Sequence, residues 1–340
     1  LAEDKLDHFM HALCKGRRVF ALERDEDRYR MCSGDEWVPG RHTLGAFRPR
    51  EPLKAVVFRP REALGKVIGE TGTPDVGEQV VIGVKNCDLS ALKIHDHVFL
   101  KSDPVDPYYK AVREKTLIVS CDCTDCTEVC FCTAVGQQPY PKSGFDINLS
   151  PVDGGYVVET GSERGEKALE RCSQFLDKDD GTFAKRRDER RAKLAERVAG
   201  QAAAKGLSGT PDFRAAVEKS AESSLWETFA EDCVECGACN FVCCTCHCFL
   251  LGDGVDQNDV PRRLRQWDSC LLRNFARVAG GANPRSHRAE RLYNRFDKKF
   301  SFFPRVLGGE YACDGCGRCV EACTGRIDIR EVLKGALDGR

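Results

Sequence analysis

The sequence predicts an α+β protein. An N-terminal α/β domain covers residues 1–172, a helical connector covers 173–224, and a mostly helical domain with a long insertion covers 225–340. Three observations predict it. Short apolar runs bounded by turn residues fill the first half, the pattern of strands alternating with helices. The stretch 173–232 has no cysteine, and its KRRDERRAKLAERVAGQAAAKG is rich in charge and alanine. The last observation is cysteine itself: 21 occur in 340 residues, and twelve of them fall between positions 233 and 323. A chain this long buries a core without covalent staples. Nothing points to export, so a disulfide scaffold explains the cysteines poorly. Thiols in that number inside a reducing cell hold metal.

The expected strands are LKAVVF (53–58), QVVIGV (79–84), TLIVS (116–120), FDINL (145–149) and GYVVET (155–160). After the second, Asp88 caps a helix reaching about Val98, and Pro107 opens another at YYKAVREK. No G-x-G-x-x-G follows a strand and no P-loop occurs, so neither nucleotide fingerprint is present. The connector has helical composition without an apolar stripe, which reads as an exposed helix broken at Gly206, Gly209 and Pro211. A helix over about 212–231 leads into the next cysteine group. The insertion carries expected helices over 262–279 and 286–300, between Gly and Pro breaks.

Charge narrows the function classes. With 52 basic and 53 acidic residues the formal net charge is −1, so the basic excess of a nucleic-acid binder is absent. No run approaches the ~18 apolar residues of a membrane span. The opening LAEDKLDHFMHALCKGRR scatters charge through its apolar positions, unlike a signal peptide. A cytoplasmic protein is expected. The charge is uneven, however. Eight acids and no Lys or Arg lie between Glu222 and Asp259, and twelve bases against three acids lie between Arg262 and Arg305. A solvated basic face is the plain reading; a docking surface, or a positive field beside anionic groups, is the sharper one.

Cys233-x2-Cys236-x2-Cys239-x3-Cys243 is the strongest signal, and the same spacing recurs as Cys313-x2-Cys316-x2-Cys319-x3-Cys323. This is the bacterial ferredoxin run for a [4Fe–4S] cluster. Three thiolates on a tight loop reach three irons of one cubane, and the fourth, a turn further on, points to the other cluster. The spacing therefore assigns cluster one to Cys233, Cys236, Cys239 and Cys323, and cluster two to Cys313, Cys316, Cys319 and Cys243. Zinc is the competing metal, but it favours separated C-x2-C pairs without a third cysteine at x2 spacing. The Pro that usually follows the fourth cysteine is replaced by Cys244 and Thr324, and Cys244 reads as a buried free thiol. The C-terminal domain is thus a mostly helical, two-cluster ferredoxin-like domain whose runs are held apart by the insertion.

The remaining cysteines divide into groups. Cys246, Cys248 and Cys270 are three thiols that could hold a further cluster with a fourth ligand such as Asp268. The alternative is core cysteines or a labile pair, with His247 a hydrogen-bonding neighbour. Cys121, Cys123, Cys126, Cys130 and Cys132 follow the strand TLIVS, and Cys87 follows QVVIGV. If those strands are adjacent, their C-terminal ends bring Cys87 beside the 121–132 loop, at the edge of an α/β sheet that favours ligand sites. A third [4Fe–4S] cluster on Cys87, Cys123, Cys130 and Cys132 is expected there, with zinc or redox-active thiols as alternatives. Cys14, Cys32 and Cys172 read as small buried hydrophobes. No Ser–His–Asp order, H-E-x-x-H or acid–base pair stands out. The chain reads as a conductor of electrons without a catalytic site of its own.

These residues resemble a known family: the iron–sulfur beta subunit of cytoplasmic sulfhydrogenases and the related A subunit of anaerobic sulfite reductases. The likeness rests on GVKNCDLSALKIHDHVF (83–99), on CFC (130–132) followed by GQQP and YVVETGSERG, and on LWETFAEDCVECGACNFVCCTCHCF (225–249). It continues through RQWDSC (265–270), AGGANPR (279–285), ERLYNRFDKKF (290–300) and CDGCGRCVEACTGRIDI (313–329). It runs from about residue 50 to 330. Departures are Cys244 in place of Pro, Asn86 where Pro is expected, and the additional Cys121 and Cys126, which suggest a divergent branch. The resemblance implies a soluble anaerobic electron-transfer subunit. It would relay single electrons between a flavin subunit that handles NAD(P)H and a catalytic subunit: a hydrogenase, a sulfite reductase or a heterodisulfide-reductase-like enzyme. Any flavin would sit on the partner. The alternatives are a zinc-binding or cluster-carrier protein without redox turnover, and an enzyme whose Cys87 site performs chemistry.

Overall fold

The computed structural model describes residues 1–66, 74–255 and 259–339; Asp256, one of the eight acids above, lies outside them. In chain order the strands are β1 (Arg18–Asp25), β2 (Arg28–Gly34), β3 (His42–Thr43), β4 (Arg61–Lys66), β5 (Gln79–Val84), β6 (Thr116–Cys121), β7 (Ile147–Val152), β8 (Gly155–Thr160), β9 (Phe249–Val255) and β10 (Pro261–Trp267). The chain divides into two compact units. The first comprises 1–53, 74–128 and 137–198; the second comprises 54–73, 129–136 and 199–340. Two short pieces of the N-terminal half thus belong to the C-terminal unit, along lines different from the expected 1–172, 173–224 and 225–340.

The first unit is built on a sheet of order β2-β1-β5-β6-β7-β8, with β3 paired to β1. The β1–β5, β5–β6 and β6–β7 pairs are parallel, and the outer β1–β2 and β7–β8 pairs are antiparallel. β5 and β6 are buried at every position, which is why they read as unbroken apolar runs: a parallel strand is covered on both faces. Phe9, Met10 and Leu13 of the helix Leu6–Cys14 pack with Val19, Val80, Leu117 and Ile147. The helices after β5 are the two expected ones. One spans Asn86–Leu100, two residues earlier than Asp88 suggested. The other spans Pro107–Lys115, where the Asp106 side chain accepts from the Tyr109 amide, as an N-cap does. The helix Thr182–Ala204 was expected to be exposed. Its arginines nonetheless anchor it to the first unit. Arg187 bonds Glu159, and Arg191 bonds Asp122, Ser150 and Glu159.

The second unit corrects three expectations. LKAVVF is not a strand: Lys54–Val57 forms a short helix, which turns the Lys54 side chain inward. The segment 262–279 is not a helix. β10 occupies its start and pairs with both β9 and β4 to form a three-stranded antiparallel sheet. The buried Arg265 guanidinium on β10 meets Glu62 of β4 at 2.6 Å, and a partner 203 residues away leaves no local trace. The expected helix 212–231 is two, Phe213–Lys219 and Leu225–Glu231. The core is aromatic: Phe131, Phe213, Trp226, Phe296 and Phe300 are buried with Leu292, Ile329, Val332 and Leu333. The helix Arg288–Asp297 continues through a π-helical turn, Lys298–Phe302, a feature that commonly accompanies functional sites.

Candidate metal centres

The two ferredoxin runs fold alike. Each is an irregular loop that ends in one helical turn, Ala238–Phe241 in the first and Arg318–Glu321 in the second. Each turn starts from a left-handed glycine, Gly237 at φ 72° and Gly317 at φ 71°. That conformation suits glycine. A Cβ on Gly317 would also lie 2.4 Å from the Val129 carbonyl oxygen, which is why the 129–136 segment packs so closely on the second run. The Phe131 amide donates to the Gly315 carbonyl at 2.8 Å in the same contact.

A second close approach joins the runs to each other. A Cβ on Gly325 would stand 2.0 Å from the Asp232 carbonyl oxygen. Gly325 follows Cys323 by two residues and Asp232 precedes Cys233, so this contact draws Cys323 to the first run. Cys233, Cys236, Cys239, Cys319 and Cys323 line one void, with Gly237, Arg295 and Phe296 around it. The four thiols that spacing assigned to cluster one are among them, and Cys319, assigned to cluster two, borders the same void. Cys236 is exposed, and its neighbour Val234 is 59% exposed, so this void lies near the surface. Burial pushes the Cys239 thiol up to about 12. Gly325→Ala is expected to cost about 3 kcal/mol, because backbone blocks the new methyl. Thermal unfolding of the anaerobic protein measures it, and an unchanged Tm would show that the approach can relax.

The other set surrounds a buried cation. Lys299 donates to Cys243 Sγ at 3.2 Å, Thr245 Oγ1 at 2.9 Å, Cys246 Sγ at 3.6 Å and the Ala312 carbonyl at 3.2 Å. Neighbouring thiols of Cys244 and Cys246, then Lys299 and Arg295, hold Cys243 well below the ordinary thiol range. Burial raises Cys313 and Cys319, and each also feels the Cys243 thiol. Lys299 joins Cys243 Sγ to the Ala312 carbonyl beside Cys313, and the adjacent Cys244 Sγ lies 3.9 Å from Cys316 Sγ, so Cys243, from the first run, sits beside the second. Cys244 behaves otherwise. It is buried, donates to Asp314 Oδ2 at 3.4 Å and lies 3.9 Å from Cys316 Sγ.

Sequence reasoning overlooked the cations. Lys54, Arg295 and Lys299 are all buried. Lys54 donates to the carbonyls of Asn240 and Cys246 and lies 4.1 Å from the Trp267 ring centre. Arg295 donates to Asn240 Oδ1 at 2.9 Å. Among the described residues none of the three has a carboxylate partner. Buried cations need compensating negative charge, and the ionisable acids around these three are cysteine thiols. A polyanionic cluster on their thiolates fits this environment. Burial opposes the charge on Arg295, but Cys239, Cys319, Cys246 and Cys243 hold it protonated. Lysine and arginine read as surface residues by type, and only the family-like segment ERLYNRFDKKF marked two of these three.

Of the further cysteines, Cys246, Cys248 and Cys270 line one cavity of ≈ 180 Å³ in the second unit. Cys87 and Cys123 belong to the first unit, whereas Cys130 and Cys132 belong to the second. β5 and β6 are adjacent, as expected, and Lys85 beyond β5 donates to the Asp122 carbonyl beyond β6 at 3.1 Å. Cys14 and Cys172 are buried in the first core, and burial raises Cys14 to about 12; Cys32 is only half-buried, on β2.

Comparison with known proteins fits this geometry. Residues 232–327 match the model of a 4Fe-4S dicluster domain, a segment that holds both runs and both sets of thiols. Over its full length the chain is 32% identical to subunit beta of sulfhydrogenase 2 from Pyrococcus furiosus, across 347 aligned positions covering 100% of this chain and 98% of the relative. The chain belongs to the sulfhydrogenase beta-subunit family. As a member of that family with a dicluster domain it is an iron–sulfur electron-transfer subunit of an oxidoreductase, and it carries [4Fe–4S] clusters. Among the described residues no helix is long and apolar enough to cross a membrane.

Proposed function

We propose that this beta subunit relays single electrons between a flavin subunit that oxidises NAD(P)H and a catalytic subunit. The observation that carries the reading is the exchange of fourth cysteines. Cys323 joins Cys233, Cys236 and Cys239 around one void, which Cys319 also borders, while Lys299 joins Cys243 Sγ to the Ala312 carbonyl beside Cys313. Bound at these two sets, [4Fe–4S] clusters supply one-electron carriers close to one another. The chain's residues do the rest. The Gly325–Asp232 approach fixes the exchange, Lys299 and Arg295 supply positive charge next to the thiolates, and the aromatic core excludes water from one side. Exposed Cys236 and Val234 bring the first set near a surface that a redox partner can reach. The full-length likeness to a sulfhydrogenase subunit favours a hydrogenase as the catalytic partner.

The reading is tested in the native complex. NAD(P)H is expected to bleach the visible absorption of this subunit's clusters when the flavin subunit is present, and to leave the isolated chain unchanged. Bleaching of the isolated chain would place the flavin or nicotinamide site here. An unbleached complex would remove NAD(P)H as the electron source.

A further inference from the structure

We propose that Cys246, Cys248 and Cys270 hold an additional [4Fe–4S] cluster on three protein thiolates, in the cavity beside Lys299. The proposal rests on the electron-relay reading and extends it to a site the dicluster motif does not include. Strand register brings the thiols together. β9 begins at Phe249, directly after Cys248, and β10 ends at Trp267, with Phe249 opposite Trp267. The Asp268 amide then donates to the Cys248 carbonyl at 2.9 Å, so the chain returns Cys270 to Cys248. Cys246 reaches the same place from the end of the first run, and all three line the ≈ 180 Å³ cavity.

One amide spans the group. Arg295 donates to Asn240 Oδ1, which fixes the orientation of that side chain. Its Nδ2 then donates to Cys270 Sγ at 3.2 Å and to Ser269 Oγ at 3.0 Å, while the Cys246 thiol donates to Oδ1 at 3.6 Å. An N–H group aimed at a cysteine sulfur is what holds and tunes a cluster thiolate. Charge points the same way. Lys299 bridges Cys243 and Cys246, one sulfur from each group, and Lys54 lies over the carbonyl of Cys246. Arg285 and Lys298 also face the cavity.

The lining contains three cysteines and no fourth. Asp268 is engaged in accepting from the Ser269 amide at 2.7 Å. His247 contacts the Thr245 carbonyl through Nδ1 at 3.1 Å, and since a carbonyl can only accept, that nitrogen carries the proton and leaves the Nε2 lone pair as a non-cysteine donor in the same lining. One iron would therefore lack a cysteine ligand and take either His247 Nε2 or, in a cavity rimmed by basic side chains, a small anion such as hydroxide, hydrosulfide or a low-molecular-weight thiolate.

The test uses the full chain, purified without oxygen, as wild type, Cys270→Ser and Cys248→Ser. Each variant is expected to lose about four iron and four sulfide. Brief ferricyanide treatment of the wild type is expected to release one Fe²⁺ as a one-electron oxidation converts [4Fe–4S]²⁺ to [3Fe–4S]⁺. The resulting EPR signal is expected to be absent from Cys248→Ser. A wild type with sulfide whose iron content neither variant changes overturns the additional cluster and leaves the two-cluster relay standing. Loss of one zinc in place of four iron overturns it too. A wild type without sulfide sinks both readings. If Cys270→Ser does not fold, Cys248→Ser, at a less buried thiol, and the oxidation signal decide.

Discussion

Replacing Cys323 with serine is expected to remove about four iron and four sulfide per chain and to leave the same residual EPR spectrum as Cys233→Ser. Cys323 stands in the second run, so a chain-order assignment predicts the opposite, a match to Cys313→Ser. The structure favours the exchange because Gly325 lies against the Asp232 carbonyl and because Cys323 shares with Cys233, Cys236 and Cys239 a void that only Cys319 borders besides them among the cysteines. The reciprocal pair is Cys243→Ser with Cys313→Ser. Reduced wild-type protein should also show magnetic coupling between the two centres, and each serine variant should abolish it. Pairing within each run would contradict the geometry.

The second large effect is on potential. Lys299 donates to Cys243 Sγ at 3.2 Å from a fully enclosed position, whereas Glu231 and Asp232 stand exposed beside the first run. The cluster that includes Cys243 is therefore expected to have the higher potential of the two. A unit charge at ~4 Å contributes about 4 kcal/mol at an effective dielectric of 20. Spread over a cubane, about half of that reaches the redox electron. Lys299→Met should then lower this cluster's potential by roughly 80 mV, given about 59 mV per tenfold in a one-electron equilibrium. Redox titration followed by EPR checks it. Equal potentials in the wild type, or a shift confined to the other cluster, would contradict the asymmetry.

The parts of the molecule legible in the sequence were those whose cause is local. β5 and β6 are runs of Val, Ile and Leu because both faces are covered, and Pro107 with Asp106 marks a helix start whatever surrounds it. The ferredoxin runs are legible because cluster geometry constrains spacing within a dozen residues. LKAVVF misleads because Lys54 is buried: its ammonium bonds carbonyls of Asn240 and Cys246, 186 and 192 residues on. β10 misleads because its arginines resemble a helical face, while Arg265 answers Glu62 on another strand. The three buried cations are unreadable by type alone, since their counter-charge arises only when distant thiols converge. Such departures from local rules fall where function is expected to override them.

The most direct test of the central claim, that the second unit holds a pair of [4Fe–4S] clusters for electron transfer, is iron, zinc and acid-labile sulfide per chain on anaerobically purified protein. The account predicts about eight iron or more with matching sulfide and little zinc. Zinc without sulfide would contradict it.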